Sequence, residues 1–180
     1  MDSQANSFSD LDMKHFLPKA KVLKYSDFVR SGKTIKQLMG KQEHPIVLLF
    51  ELKQSSGHWT CLSRLPDGSL SFFDSYGFKP DDELKFVPDH FKKQSKQDHT
   101  YLINKMLEDG APVEYQPYKL QKMSKDICTC GRHVIARLAF SNLPIEQYVE
   151  LYRTASKRYG NGFLDVDSIV TEAIPKVDWE

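Results

Sequence analysis

Three short strings of the sequence carry the residue types that hydrolysis by a cysteine needs: Gly57-His58-Trp59, Phe73-Asp74-Ser75-Tyr76-Gly77 and Cys130-Gly131-Arg132-His133. This chemistry uses a thiolate as nucleophile, an imidazole that activates the thiol and protonates the leaving amine, and a carboxylate that orients the imidazole. Cys130, His58 and Asp74 are the candidates for these three roles. Their order alone carries little weight, because a chain with 6 histidines and 3 cysteines contains such an order by chance.

The elements that must position His58 and Asp74 are two neighbouring strands. Residues 58–65 and 70–75 are rich in strand-forming residues, and the four residues from Pro66 to Ser69 form a strong turn signal between them. A hairpin centred on residue 66 would place position 58 opposite position 74. The sequence therefore predicts a hydrogen bond between His58 and Asp74 across two strands.

Cys130 is predicted to stand at the start of a helix. Apolar residues recur after it at intervals of three and four, at Val134, Ile135, Leu138 and Ala139. The unpaired N–H groups and the positive dipole at a helix start lower the pKa of a thiol and can also receive an oxyanion. The next residue, Gly131, has no side chain that would obstruct a substrate backbone.

The remaining pattern predicts an α+β fold with a central mixed or antiparallel sheet flanked by helices. Further strands are expected at residues 45–53 and 113–120. Helices are expected after Ser9, from Ser26 towards Gly40, and at residues 81–86, 98–107, 144–159 and 166–173. The length of 180 residues suits a single domain over residues 1–180, in which the polar residues 1–9 are expected to be loosely ordered.

Composition excludes several classes of function. The 25 lysines and arginines nearly balance the 24 acidic residues, so no global field steers the chain onto DNA or an anionic membrane. The longest apolar run, residues 46–50, is far shorter than the roughly 20 residues that cross a bilayer. The start lacks the pattern of a signal peptide, so we expect a protein that is neither membrane-bound nor secreted. An odd number of cysteines then argues against a disulfide scaffold.

Taken together in this order, Gly57-His58-Trp59, Phe72–Phe78 and Thr129-Cys130-Gly131 resemble the adenain and SUMO-protease (Ulp-type) superfamily of cysteine peptidases. The resemblance covers about residues 45–140. Residues 72–84 are most similar to the adenovirus maturation protease, and residues 129–133 resemble proteases of virophages and large DNA viruses. The resemblance implies a circularly permuted, papain-like cysteine protease fold.

The resemblance also implies roles for individual residues. Cys130 is the nucleophile, His58 the base and acid, and Asp74 the orienting carboxylate. Trp59 is expected either to cover one side of the substrate cleft or to be a core anchor, and Gly131 to keep the cleft narrow. Arg132 and His133, next on the helix, either form an ion pair, meet substrate or form a solvated first turn.

The superfamily adds a glutamine upstream of the cysteine, whose amide completes the oxyanion hole. Gln121 is the candidate, although it lies nine residues before Cys130 and family members usually keep this glutamine closer. An insertion over residues 124–127 would account for the difference. Gln116 and Ser124 are the alternatives.

The expected function is a cysteine endopeptidase that cleaves capsid or other structural precursor proteins during virion maturation, at small residues that include glycine. An isopeptidase that removes ubiquitin-like or SUMO-like modifiers is the alternative with the same chemistry. No cofactor is expected. The small lysine clusters at residues 92–96 and 119–125 leave a DNA activator open, and a peptide activator is equally possible. The expected location is the virion and the cytoplasmic virus factory of an infected cell.

A zinc-stabilised binding module without catalysis is the alternative from another class. Cys128, Cys130 and His133 form C-x-C-x-x-H, and His58 with Cys61 forms H-x-x-C, which together could offer four zinc ligands. The C-x-C spacing differs from the usual C-x-x-C knuckle, which argues against this alternative. The zinc module predicts a bound zinc ion, whereas the peptidase hypothesis predicts no structural metal.

Overall fold

A computed structural model of the chain describes residues 4–53, 56–96, 100–158 and 165–177. The strands are β1 (Lys21–Lys24), β2 (Ile46–Lys53), β3 (Ser56–Arg64), β4 (Leu70–Asp74) and β5 (Val113–Tyr115). The helices are α1 (Asp10–Phe16), α2 (Tyr25–Ser31), α3 (Ile35–Met39), α4 (Asp89–Ser95), α5 (Leu102–Asp109), α6 (Cys130–Ala139), α7 (Ile145–Arg158) and α8 (Val166–Ala173), with a short 3-10 helix at Asp82–Phe86.

The five strands form one mixed sheet in the order β1-β2-β3-β4-β5. The central strands β2, β3 and β4 are an antiparallel meander, whereas β1 and β5 run parallel to their neighbours. The α+β class and the mixed sheet flanked by helices are thus confirmed. Strand β1 was not expected, because its four residues carry two exposed lysines at their ends and show no strand pattern.

Both faces of the meander are buried: β4 is buried throughout, β3 is buried from His58 to Ser63, and β2 is the most apolar of the three strands. Side chains alternate across the sheet, so the paired residues Cys61 and Phe73 point to one face while Leu62 and Phe72 point to the other. The first face packs on α6 and α7, and the second packs on the helices around Phe28. Two apolar layers therefore hold the meander rigidly between the helices.

The hairpin of β3 and β4 is present, but its register differs from the expected one. Thr60, not His58, pairs with Asp74. The pair nearest the turn is Arg64 with Leu70, so the turn is centred on residue 67 rather than on residue 66. A one-residue shift of the turn centre moves the cross-strand partner by two positions and keeps the side chains on the same face. His58 and Asp74 are therefore diagonal neighbours on one face of the sheet.

Element boundaries between β4 and α6 differ most from expectation. Residues 82–86 form a 3-10 helix, Asp89–Ser95 is a helix that the sequence did not indicate, and α5 begins at Leu102. The start of the helix expected at residues 98–107 lies partly outside the described residues. Strand β5 ends at Tyr115 rather than at residue 120, since Pro117 cannot donate to a strand ladder.

Residues 4–9, expected to be loosely ordered, lie against the core. Phe8 is buried, and backbone carbonyls of this segment accept hydrogen bonds from Trp59 Nε1 at 2.9 Å, Arg132 Nη1 at 2.8 Å and the N–H of Cys128 at 2.7 Å. The mobility of residues 1–9 stays a prediction, and residues 1–3 lie outside the described part. The polar composition gave no sign that Phe8 is a core residue.

No helix within the described residues is long and apolar enough to span a bilayer.

Gly57 is needed where β2 and β3 approach each other. A Cβ at this position would lie 2.2 Å from the carbonyl oxygen of Phe50 and 2.9 Å from Leu49 Cδ1. We expect Gly57→Ala to lower the free energy of unfolding in urea by about 2–3 kcal/mol, because the strands must move apart. Gly110→Ala is the control, since a Cβ there meets no atom within 4 Å and only the positive φ opposes it, at a cost of about 1 kcal/mol. Equal losses of unfolding free energy in the two variants would show that the close approach of β2 and β3 does not determine the cost of Gly57→Ala.

Candidate active site

His58 and Asp74 face each other in a buried site at the end of the β3–β4 hairpin. His58 Nε2 lies 3.2 Å from Asp74 Oδ2, and both side chains are almost fully buried, at 3% and 0% exposure. The other oxygen of Asp74 accepts the N–H of Tyr76 at 2.7 Å. That bond fixes the carboxylate relative to the turn after β4. The predicted pairing of the imidazole with the carboxylate is therefore present in the geometry.

Tyr76 covers the imidazole of His58. The two rings stack with their centroids 4.5 Å apart and their planes 14° apart. Tyr76 follows β4 by two residues, which is where the actual register of the hairpin places the position opposite His58. Burial, followed by the charges of its neighbours, raises the pKa of Tyr76 to about 12, so the phenol stays neutral and available for hydrogen bonding. The sequence analysis did not assign this residue a role.

Cys130 is the first residue of α6, as predicted, and lines the same cavity as His58. Nε2 of the imidazole faces the carboxylate, so Nδ1 is the nitrogen left for the thiol. Burial opposes a charge on His58, but the nearby Asp74 and Glu83 carboxyls outweigh it and raise the His58 pKa well above its ordinary value. The site thus favours an imidazolium beside the thiol.

The other two cysteines are poorly suited to nucleophilic attack. Burial raises the pKa of Cys61 to about 12. Burial and the negative charges of Cys130 and Asp126 also raise the pKa of Cys128. Because the thiolate is the reactive form, both thiols are less reactive at neutral pH than an unperturbed cysteine.

Gln121 lines the same cavity as Cys130 and His58. Its side-chain oxygen accepts a hydrogen bond from Ser75 Oγ at 2.6 Å. This bond directs the amide nitrogen towards Tyr76 Oη and the carbonyl of Ile127, both at 3.3 Å. The two bonds of the nitrogen are long, so an N–H can turn to a stronger acceptor.

The alternatives to Gln121 have other positions. Gln116 Nε2 donates to the backbone oxygen of Asp74 at 2.9 Å and its oxygen accepts the N–H of Tyr118, so it ties β4 to the segment after β5. Gln116 does not line the described cavity, whereas Ser124 does. The structure therefore favours Gln121 over Gln116 as a donor near the thiol.

Trp59 and Gly131, the two residues predicted to bind substrate, are both buried against the N-terminal segment. Trp59 borders the cavity, but its indole N–H is bound to the carbonyl of Phe8. A Cβ on Gly131 would lie 2.8 Å from Phe8 Cβ and 3.3 Å from Met13 Sδ. Phe8 thus packs where a Gly131 side chain would lie, and Gly131 does not line the described cavity, so its role in substrate binding stays a prediction.

The cavity has a volume of about 800 Å³ and extends from the thiol over the ends of β2 and β3. Its walls include charged side chains of both signs, among them Lys14, Lys24, Asp27 and Glu51. A cavity of this size holds several residues of an extended peptide. Since Cys130 is only 7% exposed, little room remains directly around the sulfur.

Glu83 belongs to the site although the sequence analysis missed it. It lies in the 3-10 helix at 3% exposure, with Oε1 3.8 Å from His58 Nε2. A polar residue in a stretch of apparently solvated charges carries no signal of burial, so only the tertiary contact identifies it. Potential ligand atoms of His58, Asp74 and Glu83 lie within 4.8 Å of one another, the one such group of three in the described part of the chain. Groups this close can share protons, and we do not assign a metal to the three side chains.

The ligand set of the zinc module is not assembled. His133 Nε2 lies 2.9 Å from Asp167 Oδ1, and burial lowers the pKa of His133 despite this partner, so the ring is neutral. Cys61 is a core residue of β3. Among the residues that the structure describes, the cysteines and His133 form no group of three potential ligands.

Asp167, in the first turn of α8, fixes the start of the helix that carries the thiol. Its carboxylate accepts hydrogen bonds from the Thr129 hydroxyl, the ring of His133 and the N–H of Lys122, the last at 2.9 Å. Thr129 precedes Cys130, and Lys122 follows Gln121. One buried carboxylate therefore holds both the nucleophile and the candidate oxyanion donor in place.

Arg132 is buried rather than solvated or in contact with substrate. Its guanidinium donates to the carbonyls of Ile174 at 2.9 Å and Asn6 at 2.8 Å, and it lies over the ring of Phe8 at 4.5 Å. Arg132 thus joins the two ends of the described chain to α6.

Comparison with known proteins finds one relative with extensive similarity. The uncharacterized protein V9 of Sputnik virophage is 36% identical over 143 residues, which cover 79% of this chain and 81% of the virophage protein. No family model matches the chain.

Several solved structures resemble the chain over most of its length. The central domain of the uncharacterized Lpg1148 protein of Legionella pneumophila is 19% identical with a TM-score of 0.43, covering 94% of this chain and 96% of that domain. The ASFV pS273R protease is 12% identical with a TM-score of 0.49, covering 95% and 69%. A de-sumoylating protease is 12% identical with a TM-score of 0.36, covering 92% and 71%. Likeness at this level carries no argument about chemistry, which rests on the geometry of the site.

Removing the Asp167 carboxylate tests its role. We expect Asp167→Ala to lower the free energy of unfolding by about 3 kcal/mol, because three buried donors lose their acceptor. Alkylation of Cys130 by iodoacetamide should also slow in the folded variant, since the start of α6 is no longer fixed. Asp165→Ala is the control: Asp165 caps α8 and forms an ion pair with the Lys122 side chain at 3.1 Å rather than holding Thr129 or His133, and its loss costs about 1 kcal/mol without slowing alkylation. Indistinguishable effects of the two variants would contradict this role.

Proposed function

We propose that this chain, which belongs to the same family as protein V9 of Sputnik virophage, is a cysteine peptidase that acts through Cys130, His58 and Asp74. The observation that carries the proposal is the buried imidazole of His58, which lines one cavity with Cys130 and lies 3.2 Å from a fully buried carboxylate. A charged histidine in this position stabilises a thiolate beside it, which is the nucleophile that peptide hydrolysis by cysteine needs.

The geometry supports a two-step reaction. The Cys130 thiolate attacks the carbonyl carbon of the substrate, a C–S bond forms, and the His58 imidazolium gives its proton to the leaving amine as the C–N bond breaks. A water molecule then attacks the thioester while His58 takes its proton, and the C–S bond breaks to release the acid and the thiolate. Asp74 holds the imidazole in place through both steps.

The oxyanion of each tetrahedral intermediate needs donors that are already in position. The backbone N–H of Cys130, at the start of α6, has no partner inside the helix and is the first of them. The second is the amide of Gln121, which Ser75 orients within the cavity. The backbone donor is fixed before substrate arrives, and the Gln121 amide needs only to turn an N–H away from its two long hydrogen bonds.

The substrate that we propose is a capsid or other structural precursor protein, cleaved at small residues that include glycine. Relationship to a virophage protein supports a viral role, and the 7% exposure of Cys130 supports small residues at the cut, because a large side chain would not reach the sulfur. The proposed location follows from this role: the virion and the virus factory of the infected cell. A peptide or DNA activator belongs to the same proposal.

Substitution of the three cysteines tests the nucleophile. We expect Cys130→Ala to abolish hydrolysis of glycine-containing peptides with little loss of stability, while Cys128→Ala and Cys61→Ala keep most of the activity. His58→Ala should slow alkylation of Cys130 by about 100-fold, because the thiol loses its base. Peptide hydrolysis is followed by mass spectrometry, and the same variants are assayed on ubiquitin-like and SUMO-like conjugates. Loss of activity in Cys128→Ala instead of Cys130→Ala would show that the nucleophile is misassigned.

A separate measurement tests the oxyanion role of Gln121. We expect Gln121→Ala to lower kcat by about 100-fold or more, as loss of one oxyanion donor does in other hydrolases. Alkylation of Cys130 by iodoacetamide should change little, since that substitution passes through no oxyanion. Gln116→Ala is the matched control: it removes a buried hydrogen bond, so stability falls more than activity. A parallel loss of hydrolysis and alkylation in Gln121→Ala would make Gln121 a structural residue only.

A further inference from the structure

The carboxyl of Glu83 has no role in the proposed reaction, yet it is buried beside the groups that carry it out. Its Oε1 lies 3.8 Å from His58 Nε2, and the side chain is 4% exposed. Three atoms in this small space have no aligned hydrogen-bond partner: His58 Nε2, Asp74 Oδ2 and Glu83 Oε1. Buried polar groups without partners are rare and costly, so the arrangement needs an explanation.

A proton held between the two carboxyls resolves the arrangement. Two buried carboxylates beside one imidazolium would leave an uncompensated negative charge in the protein interior. If one carboxyl stays protonated, its O–H can donate a hydrogen bond to the other carboxylate. That bond would give a partner both to Asp74 Oδ2 and to Glu83 Oε1. The second carboxylate is then free to face the imidazolium.

We infer that Glu83 is a positioning residue for the thiol–imidazole pair: its protonated carboxyl donates a hydrogen bond to Asp74 and holds that carboxylate against His58. This inference rests on the proposed peptidase chemistry, because it assumes that an imidazolium forms beside the Cys130 thiol. Asp74 is the last residue of β4, and Glu83 lies on the 3-10 helix that follows after a turn. No group that touches the substrate is added to the mechanism.

The surroundings of Glu83 place its titration near neutral pH. Burial, together with the charge and hydrogen bond of Asp74, raises the pKa of Glu83 to about 7, although His58 lowers it. The titratable groups that face it come from several elements: His58 on β3, Asp74 at the end of β4, Tyr76 in the following turn, and Asp82 on the same 3-10 helix.

The sign of the pH effect follows from the two states of Glu83. Below pH 7 the neutral carboxyl donates to Asp74 and the pair carries one negative charge. Above pH 7 the ionised carboxyl adds a second negative charge beside His58, which favours the imidazolium. Ionised Glu83 therefore delays loss of the imidazolium proton, and reactivity that needs the imidazolium persists to higher pH.

The test measures alkylation of Cys130 by iodoacetate between pH 5 and 10, in parallel with peptide hydrolysis. Iodoacetate is an anion, so its rate depends on the imidazolium as well as on the thiolate. We expect Glu83→Gln, which keeps a donor but cannot ionise, to react at about the wild-type rate at pH 6 and to lose reactivity about one pH unit earlier on the alkaline side. Glu83→Ala, which lacks the donor, should react about tenfold more slowly below pH 7, where the wild-type carboxyl is protonated and donates.

Asp82→Asn is the matched control, because it removes a carboxylate from the same helix that faces Lys85 at 3.4 Å rather than His58. Its alkaline limb should move much less than that of Glu83→Gln. A Glu83→Gln profile that superimposes on the wild type overturns the inference. So does a loss of rate in Glu83→Gln and Glu83→Ala that is equal and follows their melting temperatures, because that result describes a structural residue.

The two levels of the proposal fail separately. If no peptide is hydrolysed but the alkaline limb of alkylation moves in Glu83→Gln, the role of Glu83 stands and the peptidase function is wrong. If peptides are hydrolysed and the limb does not move, the peptidase function stands and the role of Glu83 is wrong. Glu83→Gln keeps the number of non-hydrogen atoms in the side chain and therefore its packing. The test can thus be read from Glu83→Gln even if Glu83→Ala does not fold.

Discussion

The charge on the buried imidazole of His58 is the constraint on which the rest of the site depends. A charged ring that is 2% exposed has lost its water and persists only if other groups replace the hydration. Asp74 and Glu83 do so on one side, and the Cys130 thiol lies on the other. These groups come from a hairpin, a 3-10 helix and a long helix, so the chemistry requires a fixed arrangement of separate elements.

Packing supplies that arrangement. The meander is covered on both faces by apolar layers, and the helix that carries Cys130 is held at its start by the Asp167 carboxylate. The N-terminal segment adds a second restraint, because Phe8 fills the space left by the missing side chain of Gly131. Much of the packed volume around the site therefore serves to immobilise the thiol and the imidazole, while the open cavity lies over the strand ends.

The hairpin illustrates what residue patterns can and cannot give. Alternating apolar residues and a turn rich in proline and glycine predicted two adjacent strands, and both are present. The turn centre differs by one residue, so Thr60 pairs with Asp74 and the position opposite His58 is occupied by Tyr76. Since a shift of two positions keeps the same face, the imidazole and the carboxylate still meet. The alternation of residues along the strands therefore predicted the side of the sheet on which each side chain lies, whereas the geometry of the turn decided which residues pair across the strands.

Periodicity, turn residues and short motifs were enough to predict the α+β class, the meander, the helix that begins at Cys130 and the candidate residues Cys130, His58, Asp74 and Gln121, because each of these has a local signal. The places of Glu83 and Asp167 in the site and the packing of Gly131 on Phe8 became visible in the folded arrangement alone. Burial of a charged side chain has no local signature, since it depends on partners that are distant in the chain and are brought together by packing.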